Sequence, residues 1–244
     1  MDKLKAIIWT CSDPVQSDWL KSDIRIIKTF HWPLTELKAL PISKPIRQPE
    51  RVIVTSRFAL ERIITDDAFA ALRGSLIPFI TFGEKTYERL KICGYHAQLI
   101  QADGAKDMCE QLIAEQKNYV WYIASDKPAF DVAGYLENYG WKAEHIKAYS
   151  SQQRPMTDLI ASMPSSYNLS AAVICFASPL AVDAFASVKS QFLDKLDLDA
   201  KGLSYLAIGK TTKAHCDTVL GACSIAAHKD FKALYLGAVD LITK

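Results

Sequence analysis

Two stretches of this chain repeat one pattern of parts in the same order. Leu206-Ala207-Ile208-Gly209-Lys210-Thr211-Thr212 is an apolar run entering Gly-x-x-Thr, and Phe79-Ile80-Thr81-Phe82-Gly83-Glu84-Lys85-Thr86 is built the same way. Each leads into a helical periodicity that closes near a glycine, Gly221 and Gly94. Each also has a forerunner, an apolar strand followed by Ser-x-x-Ala: Val52 to Ala59 with Ser56, and Val173 to Ala181 with Ser178. Ser56 and Gly83 lie 27 residues apart and Ser178 and Gly209 lie 31 apart, each about one strand-helix-strand unit. The pattern therefore predicts two similar halves, each with two strand-to-helix turns at the carboxyl end of a sheet. Such turns expose unpaired N–H groups and the positive end of the helix dipole, which favours anions. Open parallel sheets bind ligands at that end.

At 244 residues the chain is long enough for two domains, each with a core. Half of it is hydrophobic and 23% is charged, the balance of a folded globular protein. A net charge of +2 with no basic run gives no support to nucleic-acid binding. No apolar stretch reaches the roughly 18 residues of a membrane span, and Met1 to Lys5 runs into Ala6 to Trp9 without a signal-peptide core. The expected location is the cytoplasm, without a membrane partner.

Six scattered cysteines without a Cys-x-x-Cys pair read as reduced, mostly buried thiols. The five histidines lack ligand spacing, so no metal is expected. Dinucleotide, P-loop and Gly-x-Ser-x-Gly hydrolase motifs are absent from the sequence.

In chain order, strands are predicted at Lys5 to Thr10 and Ile24 to Phe30 with a short helix at Val15 to Lys21 between them, then a loop at Pro41 to Pro49 and a strand at Val52 to Thr55. After the helix carrying Phe58, Leu60, Ile63 and Ile64, strands at Leu76 to Phe82 and Gln98 to Gln101 and a helix at Ala105 to Glu115 follow. The strand Tyr119 to Ala124 meets Ser125-Asp126-Lys127-Pro128, a fifth strand-turn-helix junction whose helix closes at Gly140. A strand at Ala143 to Tyr149 precedes a polar crossing from Ser150 to Pro155. Beyond it come a strand at Val173 to Phe176, a helix at Pro179 to Val188, the Gly209 unit, a strand at Ser224 to Ala227 and a helix at Asp230 to Leu241. This alternation is that of α/β domains with mainly parallel sheets.

Arg57, Lys85, Lys127 and Lys210 each fall within the first residues after a strand. A cation there faces the positive helix end and costs about 0.3–1 kcal/mol, a sign that a bound anion reverses. Four at equivalent positions point to a polyanionic ligand.

The paired Ser56 and Ser178 turns, the paired Gly83 and Gly209 turns, the Gly-Lys-Thr-Thr form of the second, and Tyr149 before a polar crossing together resemble the uroporphyrinogen-III synthase family over essentially the whole chain. That resemblance implies two α/β domains joined by a two-stranded connector, the first of them discontinuous. Here that places residues 1–32 with 154–244, inserts 36–147 as the second domain, and leaves 33–35 and 148–153 as connectors. It implies hydroxymethylbilane as substrate, a linear tetrapyrrole with several carboxylates, held in the cleft between the domains by backbone amides and hydroxyls without cofactor or metal. The implied reaction is loss of water and ring closure with ring D inverted, through a spirocyclic intermediate. It further implies a monomer receiving substrate by transient hand-over from hydroxymethylbilane synthase.

Ser56, Thr86, Ser178, Thr211 and Thr212 match family positions that line the cleft, with Gly83 and Gly209 as the turns and Arg57, Lys85, Lys127 and Lys210 as the cations read above. Tyr149 matches the tyrosine that helps the hydroxyl leave; a phenol ordinarily titrates near 10 and is a weak acid at neutral pH, so its expected role is assistance. The other reading of Tyr149 is an aromatic packed at the crossing with its hydroxyl bonded, and that of the Ser and Thr residues is plain helix capping. Where relatives carry Arg-Gly, this chain has Ser125-Asp126-Lys127-Pro128, and Asp126 would repel a carboxylate. A non-enzymatic two-domain module closing on a polycarboxylate, or a sugar-phosphate enzyme on a similar fold, would use the same amides.

Overall fold

The structure, a computed structural model, describes residues 4–12, 27–43, 45, 47–164 and 169–243. Along the chain the elements are β1 (Leu4–Trp9), β2 (Ile27–His31), β3 (Thr35–Ala39), β4 (Arg51–Val54), α1 (Arg57–Thr65), β5 (Phe79–Thr81), α2 (Glu84–Ile92), β6 (Ala97–Leu99), α3 (Ala105–Leu112) and β7 (Tyr119–Ser125). They continue with α4 (Val132–Asn138), β8 (Lys142–Gln153), α5 (Met156–Ala161), β9 (Leu169–Phe176), α6 (Pro179–Leu196), β10 (Leu203–Ala207), α7 (Lys210–Val219), β11 (Ser224–Ile225) and α8 (Phe231–Thr243). The chain divides into two compact units, Met1–Glu36 with Gln152–Lys244, and Leu37–Ser151.

In the first unit the strand order is β11-β10-β9-β1-β2, with parallel pairing throughout. Strand β9 is apolar without alternation because both faces are covered. Its Ala172, Ile174 and Phe176 join Phe185, Val188 and Phe192 of α6, while Val173 and Cys175 join Leu234, Tyr235 and Ala238 of α8. Trp32 closes the α6 side, stacked on Phe192 at 5.3 Å, with its indole N–H donated to the Leu159 carbonyl at 3.1 Å.

In the second unit the order is β3-β8-β7-β4-β5-β6. Strands β8, β7, β4, β5 and β6 run parallel. Trp121 and Ile123 of β7 pack with Leu60, Ile63 and Phe69; Val120, Tyr122 and Ala124 pack with Met108, Leu112 and Leu136 on the other face. Two mainly parallel α/β sheets, one per unit, are thus the fold that the alternation predicts.

Several boundaries differ from expectation. Strand β8 continues through the polar Ser150 to Gln153 because β3, unpredicted, lies beside it: Leu40 N–H bonds the Ala148 carbonyl and Arg154 N–H the Leu34 carbonyl, each at 3.1 Å. The falling partner number marks this edge as antiparallel. Helix α6 runs past Val188 because Phe192 and Leu196 prolong its buried stripe, and it stops at Asp197 with φ 49°.

Helix α4 begins at Val132, later than predicted, since Pro128 holds Lys127 out of helical geometry and Asp131 supplies the cap, accepting from Gly134 N–H at 3.0 Å. Strand β5 starts only at Phe79, Leu76 being 89% exposed. The predicted helix Val15 to Lys21, and the start of the strand from Ile24, fall outside the described residues.

Candidate functional site

Parallel strands deliver their carboxyl ends to one edge of a sheet, so the register decides which turns meet. In the second unit β4 lies between β5 and β7, and β7 beside β8. This places the Ser56 turn, the Gly83 turn, Ser125-Asp126-Lys127 and Tyr149 along one edge.

The direct contact is between Ser56 and Tyr149. Ser56 caps α1, its Oγ accepting from Ala59 N–H at 3.4 Å, and it also accepts the Tyr149 hydroxyl at 2.9 Å. A serine hydroxyl has two acceptor positions and one proton. With both acceptor positions used, its proton remains for an outside acceptor.

Tyr149 owes its place to an irregularity. Ala124 pairs with Lys147 but Ser125 pairs with Tyr149, so the register shifts at Ala148. The extra residue lets Ala148 and Tyr149 both pack on the α1 side, where strict alternation would send one away. Phe58 meets the Tyr149 ring edge-on at 5.0 Å, and the Tyr149 carbonyl accepts Asp126 N–H at 2.8 Å.

Thr55, from the Thr-Ser turn, and Tyr122 and His145, which no motif marked, complete the surroundings. The Tyr122 hydroxyl lies beside Thr55, and burial pushes it above the usual phenol range. The Tyr122 and His145 rings are 5.2 Å apart, and His145 Nε2 is 2.8 Å from the Ser125 carbonyl oxygen. Within the apolar run 119–124, Tyr122 looks like any core aromatic; only its place near the strand end gives it away.

The turns fall into two kinds. Ser56 and Ser178 cap their own helices, the latter accepting from Ala181 N–H at 3.3 Å. Gly83 and Gly209 open α2 and α7 without any side-chain cap, leaving first-turn N–H groups open to a ligand. Thr86 and Thr212 hold the same third position of their helices and are 7% and 4% exposed, whereas Thr211 faces solvent. Among the described residues neither Thr86 nor Thr212 has a hydroxyl hydrogen bond, and a Cβ placed on Gly83 would lie 3.4 Å from Thr86 Oγ1.

In the first unit β9 and β10 are neighbours, Ile208 N–H bonding the Phe176 carbonyl at 3.0 Å, so the Ser178 and Gly209 turns are adjacent. Arg57, Lys85 and Lys210 open α1, α2 and α7 and are exposed. Lys127, also exposed, sits in a loop and not in a first helical turn, which removes the dipole argument at that position.

Burial pushes Cys109 up to about 12 and Cys175 higher still, while the hydrogen bond between Cys216 and Cys223 raises Cys216 and lowers Cys223. Among the described residues no three His, Cys, Asp or Glu side chains gather around one point, and no helix is long and apolar enough to cross a membrane.

The family model of uroporphyrinogen-III synthase HemD matches residues 27–235, a span that takes in every strand except β1 and every turn described above. The chain belongs to this family. Membership in the uroporphyrinogen-III synthases makes it a lyase-type enzyme of porphyrin and haem biosynthesis with a tetrapyrrole substrate. The fold agrees. The uroporphyrinogen-III synthetase of Helicobacter pylori 26695 superposes with a TM-score of 0.71 at 16% identity, over 98% of this chain and 100% of that one. A mutant uroporphyrinogen III synthase of the extremely thermophilic bacterium Thermus thermophilus gives 0.56 at 11% identity, over 98% and 99%. No curated protein matches the sequence.

Proposed function

We propose that the protein cyclises hydroxymethylbilane to uroporphyrinogen III, inverting ring D as water leaves, with Tyr149 and Ser56 at the reacting end. The Tyr149–Ser56 hydrogen bond, at the carboxyl edge of a parallel sheet in a chain of this family, carries this reading. Uncatalysed closure gives the other isomer, so the enzyme's task is to hold one trajectory.

Carboxylates are held by the uncapped N–H groups at Gly83 and Gly209, the hydroxyls of Ser56, Ser178, Thr86, Thr211 and Thr212, and the cations Arg57, Lys85, Lys127 and Lys210. Tyr149 assists departure of the hydroxyl by donating a hydrogen bond, either after exchanging its bond to Ser56 or through the Ser56 proton. Asp126 disfavours a carboxylate next to Lys127, so Lys127 is the weakest of the four cations. The domain assignment accompanying this reading is 1–32 with 154–244, and 36–147, with connectors at 33–35 and 148–153. A substrate that closes spontaneously favours direct hand-over from hydroxymethylbilane synthase, here to a cytoplasmic monomer.

The deciding experiment adds the full-length protein to fresh hydroxymethylbilane, oxidises the products and separates type I from type III porphyrin. Type III in proportion to protein is expected. Type I alone at the spontaneous rate would leave a polycarboxylate-binding module without this activity.

A further inference from the structure

The β11–α8 loop brings a residue to the Gly209 turn that neither repeat motif contains. A Cβ placed on Gly209 would meet Cγ, Cδ and Cε of Lys229 at 3.8 Å each, so the Lys229 stem lies flat across this glycine. Pairing between β10 and β11 enforces the approach: Ala226 N–H bonds the Ala207 carbonyl at 2.9 Å, two residues before Gly209.

The Lys229 ammonium, one bond beyond Cε, has no ion pair among the described residues, and neither does Lys210. The adjacent Asp230 is engaged elsewhere, its Oδ1 accepting Ala233 N–H at 2.7 Å at the start of α8. Two cations therefore stand at a helix N-terminus that has no side-chain cap, an arrangement that is unfavourable while empty. Thr212, 4% exposed, adds a hydroxyl without a hydrogen-bond partner among the described residues. A helical side chain leans toward the N-terminus, which places the Thr212 side chain on the same turn. Ammonium, open N–H groups and hydroxyl are all complementary to one carboxylate.

Resting on the function proposed above, we infer that Lys229 binds a carboxylate of the tetrapyrrole at the start of α7. It acts by holding substrate, and so affects KM before kcat. The test titrates uroporphyrin III, the oxidised octacarboxylate product, into the full-length protein and follows tryptophan fluorescence.

Lys229→Gln should weaken binding about tenfold, as expected for loss of one charge-assisted contact, while Lys229→Arg keeps most of the affinity. Lys232→Gln, the same charge change at an exposed site on α8, should leave it unaltered. In turnover, Lys229→Gln should raise KM with kcat nearly unchanged. Wild-type affinity in Lys229→Gln, or equal weakening by Lys232→Gln, overturns the inference. The wild-type isomer ratio judges the proposed reaction separately, because the titration needs no turnover.

Discussion

Tyr149 donates to a serine that already caps a helix, and this fixes what its removal should do. Tyr149→Phe keeps the ring against Phe58 and loses only the 2.9 Å bond to Ser56. We expect kcat to fall about 10- to 100-fold, below the full range of general-acid effects, with the isomer preference retained. Product analysis at saturating substrate checks both, and undiminished kcat would reduce Tyr149 to a packing role. The two threonines at Gly209 also separate. Thr212→Ala removes the hydroxyl of a residue 4% exposed at the third position of α7 and should lower kcat/KM several-fold, on the order of one lost hydrogen bond. Thr211→Ala, at an exposed position, should cost less. The Gly-x-x-Thr repeat already pairs Thr212 with Thr86, and the structure adds that both are buried while Thr211 is exposed.

At the level of elements, α7 is tied to the approach to β11 through Asp217. The Lys213 ammonium at 2.5 Å and the Cys223 N–H at 2.9 Å hold the Asp217 carboxyl below its ordinary value of 3.8. A carboxyl depressed on folding adds stability that is complete above the unfolded value and lost as pH falls through the folded one. Asp217→Asn should therefore lower the urea midpoint at pH values well above the ordinary carboxylate value, and the difference from wild type should shrink as pH falls through and below that value, flattening the acid limb. An unaltered acid limb would mean that these bonds do not distinguish folded from unfolded chain. Element types were readable where period and punctuation agreed, as at Gly94 and Gly140, both with positive φ. Strand β3 was not, because Thr35 to Ala39 carries no apolar run and owes its extension to β8.

On the scale of the molecule, the cores of the two units share no residue: Trp32, Phe185 and Phe192 belong to one and Trp121, Phe69 and Leu60 to the other. Trp32→Ala should cost about 3–5 kcal/mol and speed hydrogen exchange at amides of β1, β9 and β10 while sparing β4 and β7. Equal acceleration in both sheets would show a single cooperative unit. The repeat of strand, turn and helix was enough for the sequence by itself to determine two parallel α/β sheets and the turns at their carboxyl edges, since periodicity and glycine placement are local properties. Tertiary structure alone decided that a shifted register turns Tyr149 onto Ser56, that Lys127 stands in a loop, and that Lys229 lies on Gly209. Those depend on which strands pair and in what register, and residues 93 or 20 positions apart along the chain carry no local sign of such a meeting.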